Sequence, residues 1–179
     1  MKYFLIKLFY NYAMKENAVA VVADIRFLKR HFKKFFKNLV LNGKYIGDLL
    51  IITSRRTSND IKNLLNTELS SIAKVWLGNG KNPYELCLYN SHFFIITSDS
   101  TSMISEASIS GKPIYVYQLP MKRKSKRFIR FHEEFKKMNI TRDFNTLDKL
   151  ENWTYTKLEE SKRIAGIIKK RIIERKNES

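Results

Sequence analysis

The sequence predicts an α/β chain built on a parallel sheet of about five strands with helices on both faces. Two observations lead there. Short β-branched and aromatic runs such as Phe93 to Thr97 carry no polar alternation, the pattern of a strand buried on both faces. These runs alternate about five times with segments of helical apolar spacing, without internal repeat or long low-complexity stretch. The stretch after Phe93 to Thr97 then places the candidate chemistry. Small hydroxyl residues and one acid follow it from Ser98 to Ser102, where an α/β sheet holds its ligand crevice, beyond the carboxyl end of a strand.

Taken in order, Met1 to Asn17 is an N-terminal extension, and residues 18–179 make one domain ending in a long basic helix. The opening Met1 to Met14 is apolar, but Lys2 and Lys7 interrupt it and it is too short to span a bilayer. No small-residue cleavage site follows, so it is not read as a signal peptide. Ala18 to Val22 reads as the first strand. Between Ile25 and Val40 the residues Leu28, Phe32, Phe35, Phe36 and Leu39 share one helical face, opposite a lysine face. Leu49 to Thr53 is the second strand. Ser58 or Asn59 caps a helix carrying Ile61, Leu64 and Leu65. Ala73 to Leu77 is the third strand and ends in Gly78-Asn79-Gly80.

Asn82-Pro83-Tyr84-Glu85 starts a helix, with Asn as cap, Pro at the first helical position and Glu three residues after the cap. After the fourth strand, Met103, Ile104, Ala107 and Ile109 supply a short helix that Gly111 and Pro113 end. Ile114 to Tyr117 is the fifth strand. The basic run Lys122 to Arg127 should stay wet, while Phe128, Phe131, Phe135 and Met138 should bury. Thr141 to Asn152 reads as loop, with room for one helical turn. Thr156 and Glu159 form a capping box for the last helix, whose apolar side includes Leu158, Ala165, Ile168 and Ile172.

Charge is the unusual compositional feature. Against 17 Asp+Glu stand 34 Lys+Arg, a formal net charge of +17, which favours anionic partners: nucleic acid, phosphorylated ligands or an anionic membrane surface. The lone cysteine, Cys87, excludes an intrachain disulfide and fits a reducing, cytoplasmic compartment. Among Leu86, Leu88 and Tyr89 it reads as a core residue rather than a nucleophile.

Catalytic signatures are sparse. His31, His92 and His132 have no companion at ligand spacing, so no metal is expected. There is no GxSxG elbow, P-loop or GxGxxG, and no cofactor is expected. The remaining candidate is composite. A parallel sheet aligns Ser54-Arg55-Arg56-Thr57, Gly78 to Tyr84 and Ser98 to Glu106 along one edge, where helix N-termini and hydroxyls bind phosphates. Glu106, one turn beyond Ser102, suits ribose hydroxyls; Asp99 is the alternative acid, or a cap or turn residue.

The order of these motifs carries a resemblance. Ser54-Arg-Arg-Thr57, Asn82-Pro-Tyr84, Thr97-Ser-Asp-Ser-Thr-Ser-Met-Ile-Ser-Glu-Ala107 with Gly111-Lys-Pro113, Arg127-Phe-Ile-Arg-Phe131 and Leu158 to Ile172 resemble the C-terminal half of one family. It is the mitochondrial fission protein family of plants and its bacterial relatives, whose members resemble GT-B glycosyltransferases. The match runs from about residue 48 onward, and more loosely from Ala18. It implies a Rossmann-like sheet equivalent to the C-terminal domain of a GT-B fold, which carries most of the nucleotide-sugar donor site. Carried over, it puts Glu106 on the ribose, Ser98, Ser100 and Ser102 near the diphosphate, and Met103 beside them. Arg55 and Arg56, flanked by Ser54 and Thr57, would assist the phosphates, with Asn82 and Tyr84 shaping the cleft wall. The family's glycine-rich turn is replaced around Ala23-Asp24. In GT-B enzymes the N-terminal domain carries the acceptor site and usually the catalytic base. The resemblance therefore implies a donor-binding half that transfers sugar only with a companion N-terminal domain.

A reading of another class is a non-enzymatic module that docks on an anionic membrane surface or a protein partner through Lys122 to Arg130 and the last helix. Specific nucleic-acid recognition is not expected, because no RNA module is recognisable.

Overall fold

The computed structural model describes residues 18–23, 48–55, 57–71, 73–119, 125–145 and 150–177. The N-terminal extension and the helix expected between Ile25 and Val40 lie outside them. So do Arg56 and Lys122 to Lys124.

The strands are β1 (Ala18–Ala23), β2 (Asp48–Thr53), β3 (Lys74–Trp76), β4 (Phe93–Thr97), β5 (Ile114–Tyr117) and β6 (Thr141–Asp143). They form one six-stranded sheet in the order β3-β2-β1-β4-β5-β6, every pairing parallel. This is the Rossmann-like order, in which the strand sequence reverses direction between β1 and β4. The helices are α1 (Asn59–Leu69), α2 (Tyr84–Asn90), α3 (Thr101–Ser108), α4 (Lys126–Lys137) and α5 (Glu160–Asn177).

Alternation along the strands builds two cores. Leu49, Ile51, Phe93, Ile95, Tyr115 and Tyr117 face one side, where Ile61, Leu65 and Leu69 of α1 cover them with Phe144. Leu50, Ile52, Phe94, Ile96, Ile114 and Val116 face the other, under Cys87 of α2, Ile104 and Ala107 of α3, and Phe135 of α4. All five residues of β4 are buried, as a run without polar alternation requires. Burial also pushes the Cys87 thiol up to about 12, which keeps it protonated and inert.

Three expectations need correction. The segment from Thr141 is not all loop: Thr141–Asp143 pairs with β5 as a sixth strand. Three residues carry too little apolar signal to be read as a strand, yet an open edge beside β5 supplies the hydrogen bonds they need. The last helix begins at Glu160, so Thr156 does not cap it. Instead 150–158 is an irregular return. Trp153 packs edge-on against Tyr115 at 5.0 Å and donates to the Asn139 carbonyl at 2.8 Å. Tyr155 then donates to the Lys112 carbonyl at 3.0 Å, and Leu158 reaches the second core. Those tertiary contacts outweigh a local cap worth about 1 kcal/mol. Finally, Phe135 buries, Phe128 and Phe131 are half-buried, and Met138 is exposed just past the end of α4.

Phe94 is fully buried in the central strand against three helices' worth of apolar side chains. Phe94→Ala should therefore lower stability by about 3–5 kcal/mol, read as a shifted urea midpoint. A loss under about 1 kcal/mol would show that the second core does not hold the sheet.

Candidate functional site

With all strands parallel, the exits of β2, β3, β4 and β5 share the carboxyl edge, and the exit of β4 adjoins the reversal point. Each exit is built differently.

After β2, Ser54 to Thr57 closes on itself. The Thr57 N–H donates to the Ser54 carbonyl at 3.1 Å, and the Ser54 N–H donates to Thr57 Oγ1 at 3.0 Å. The two hydroxyls lie 3.3 Å apart. Thr57 is buried and Arg55 is exposed. After β3, Asn82 Oδ1 accepts from the Tyr84 N–H at 3.0 Å, the bond of a cap to the second helical residue. Asn82 thus caps α2 as its spacing predicts, although the assigned helix starts two residues later.

After β4, the chain turns sharply into α3. Ser98 is buried and tied three ways: its N–H donates to the Tyr117 carbonyl at 2.9 Å, its Oγ accepts from the Leu119 N–H at 3.0 Å, and its carbonyl lies 2.8 Å from His132 Nε2. The last contact fixes the tautomer, since only a protonated Nε2 can donate to a carbonyl. Ser100 is buried at the start of α3, and both carboxylate oxygens of Asp99 are inaccessible to solvent. Ser102 and Glu106 are exposed on the outer side of α3, and Met103 is half-buried against the second core.

Glu106 meets Tyr84. Burial first, and then the nearby Glu106 carboxylate, raises the Tyr84 phenol well above its ordinary pKa, and the phenol oxygen is shut off from solvent. The phenol therefore stays protonated and can present a donor to that carboxylate. On its other flank Glu106 opens into a groove of about 880 Å³ between α3 and α4. Thr101, Ser102 and Ser105 contribute hydroxyls to it; Arg127, Phe128 and Arg130 form the facing wall. Arg130 is held by Glu134 at 2.7 Å, while Arg127 lies exposed at the start of α4. A carboxylate, hydroxyls, guanidiniums and an aromatic ring in one groove suit a polyhydroxylated, phosphorylated ligand.

Among the expected site residues, the structure gathers Tyr84, Ser102, Met103 and Glu106, with Ser98, Asp99 and Ser100 directly beneath at the exit of β4. Ser54, Arg55 and Thr57 lie across β1, about 10 Å away in strand spacings, and do not line the groove. The α4 wall is the part that the sequence reading did not assign. Its signal was the order of elements: a helix following a parallel strand must begin at the edge that carries the crevice. His132 was likewise given no role in the site, and half-buried between Phe128 and Phe131 it joins α4 to the exit of β4.

The family model described as Mitochondrial fission ELM1 matches residues 23–172 of the chain. The chain is 36% identical over 121 residues to the uncharacterized protein RP120 of Rickettsia prowazekii (strain Madrid E), covering 65% of this chain and 34% of that protein. It is 29% identical over 132 residues to Mitochondrial fission protein ELM1 of Arabidopsis thaliana, covering 72% of this chain and 30% of that one. The chain thus spans about a third of the length of these curated relatives.

Burial lowers the His132 pKa below its ordinary 6.5, and the bond to Ser98 only partly offsets this. Below 6.5 the unfolded chain takes up a proton that the folded chain resists, so stability should fall as pH drops through 6.5 toward the lowered folded value. The slope should stay under about 1.4 kcal/mol per pH unit, the limit set by the uptake of one proton. His132→Gln keeps a donor for Ser98 and should flatten this part of the urea-midpoint profile. Parallel profiles for the two proteins would count against a folded imidazole that resists its proton.

Proposed function

The chain belongs to the mitochondrial fission ELM1 family, and we propose that within it this chain is a nucleotide-sugar-binding half of GT-B type, holding its ligand where α3 meets α4. The observation that carries this reading is the groove in which Glu106 stands between the Tyr84 phenol and the Arg127 wall. The Glu106 carboxylate accepts hydrogen bonds from the two ribose hydroxyls, and Tyr84 steadies it from behind. The diphosphate lies over the exit of β4, where the first-turn N–H groups of α3 have no helical partner and draw anions. Ser102 and Arg127 supply side-chain donors there. Ser98 and Ser100 shape the turn from below, and Asp99 and Met103 hold it against the core. Phe128 offers a ring face or edge to the base.

Arg55 approaches the same ligand only at its far end, past β1. Asn82 sets the height of Tyr84 through its cap. Transfer of the sugar requires an acceptor site and a base from a companion N-terminal domain, so binding is the activity assigned to these residues. When that domain is supplied, the reaction is glycosyl transfer.

Calorimetric titration with UDP, GDP and ADP sugars tests the reading. At least one should bind, and Glu106→Ala should weaken it by about tenfold, or ~1.4 kcal/mol, with a similar loss for the 2′-deoxynucleotide on the unaltered chain. Arg127→Ala should weaken the diphosphate more than the nucleoside. Absence of binding by all three, or binding indifferent to Glu106→Ala, would sink the proposal.

A further inference from the structure

Among the described residues, α5 leaves its apolar side chains uncovered: Ile164, Ile167, Ile168, Ile172 and Ile173 are each 41–52% exposed. Four of them recur at i, i+3, i+4 and i+8, which makes one stripe along a helix of about 27 Å. The stripe is not purely apolar. Ile168 and Ile172 share a shallow groove of about 390 Å³ with Arg171, Glu174 and Arg175.

Charge decides what such a surface fits. The helix carries seven lysines and arginines against two glutamates. Glu160 is held by Arg163 at 2.6 Å, and Glu174 lies 3.9 Å from Lys170, so both acids are neutralised within the helix. The outward field is positive. A second copy would bring a like field against it, which opposes self-association. A closed apolar groove on a protein would desolvate Arg171 and Arg175 beside the isoleucines, at a cost that few pairings recover. At a bilayer surface the same two side chains reach up to lipid phosphates while the isoleucines enter the acyl boundary.

We propose that α5 is an interfacial helix that lies on an anionic lipid surface. None of the helices in the described residues is long and apolar enough to cross a membrane, so the helix rests on the bilayer rather than spanning it. It contributes no residue to the α3–α4 groove, and the inference therefore stands apart from ligand binding. Tyr155 and Leu158 moor its start to the folded domain at the amino edge of β5.

Flotation of the full chain with phosphatidylcholine vesicles, with and without phosphatidylglycerol, tests this at low and high salt. The chain should float only with phosphatidylglycerol, and salt should weaken it. Ile168→Ser with Ile172→Ser, and separately Lys169→Gln with Lys170→Gln, should each weaken binding by about tenfold. Neither pair should move the urea midpoint, because these side chains are exposed. Equal flotation with pure phosphatidylcholine would overturn the proposal. So would anionic binding untouched by the isoleucine changes, which would reduce it to the field of the whole chain. Self-association through α5 without lipid, or capture of an acidic amphipathic peptide but no vesicle, would overturn it as well.

Discussion

Every strand of this sheet runs the same way, and that single constraint arranges the rest of the molecule. Parallel neighbours cannot be joined by a tight hairpin, so each strand must leave at the carboxyl edge and return by a crossover. The crossovers cover both faces, which is why β4 can be buried at every position. The same geometry delivers the turns after β2, β3, β4 and β5 to one edge, although they are far apart in the chain. Both the two-sided core and the gathering of candidate ligand residues follow from it.

At that edge, rigidity and exposure are divided among neighbouring residues. Ser98 spends its N–H, hydroxyl and carbonyl on Tyr117, Leu119 and His132, which pins the exit of β4 to β5 and α4. Because that turn is pinned, α3 has a defined direction and carries Ser102 and Glu106 outward. His132 also fixes α4 at the distance that leaves a groove between the two helices. A turn this constrained costs little further ordering when a ligand binds, which is the physical advantage of building a site on it.

The fold was largely legible because parallel strands announce themselves as apolar runs, and helices as periodic ones. Phe93 to Thr97, Ile114 to Tyr117 and the Asn82 cap were read at or within a residue of their observed places. Thr141–Asp143 was not, since three residues with one β-branched side chain say nothing until an unpaired edge waits for them. The site was legible in part. Tyr84, Ser102 and Glu106 could be aligned from the order of strands, but Arg127, Phe128 and Arg130 looked like a solvated run followed by a core stripe. Which face of a basic helix turns toward a groove depends on the neighbour it packs on, and that neighbour is not adjacent in sequence.

The same distinction separates the two halves of the account. Sequence alone determined the secondary structure of the core, the net charge of +17 and the clustering of hydroxyls after the fourth strand, because these depend on local spacing and composition. Tertiary structure alone decided that Ser54 to Thr57 stands apart from the groove on the far side of β1, that 150–158 becomes a return against Tyr115 instead of a helix start, and that the isoleucines of α5 stay uncovered. The return of 150–158 is the outcome of competition between a local cap worth about 1 kcal/mol and contacts between distant residues. Those contacts exist only once the chain has folded.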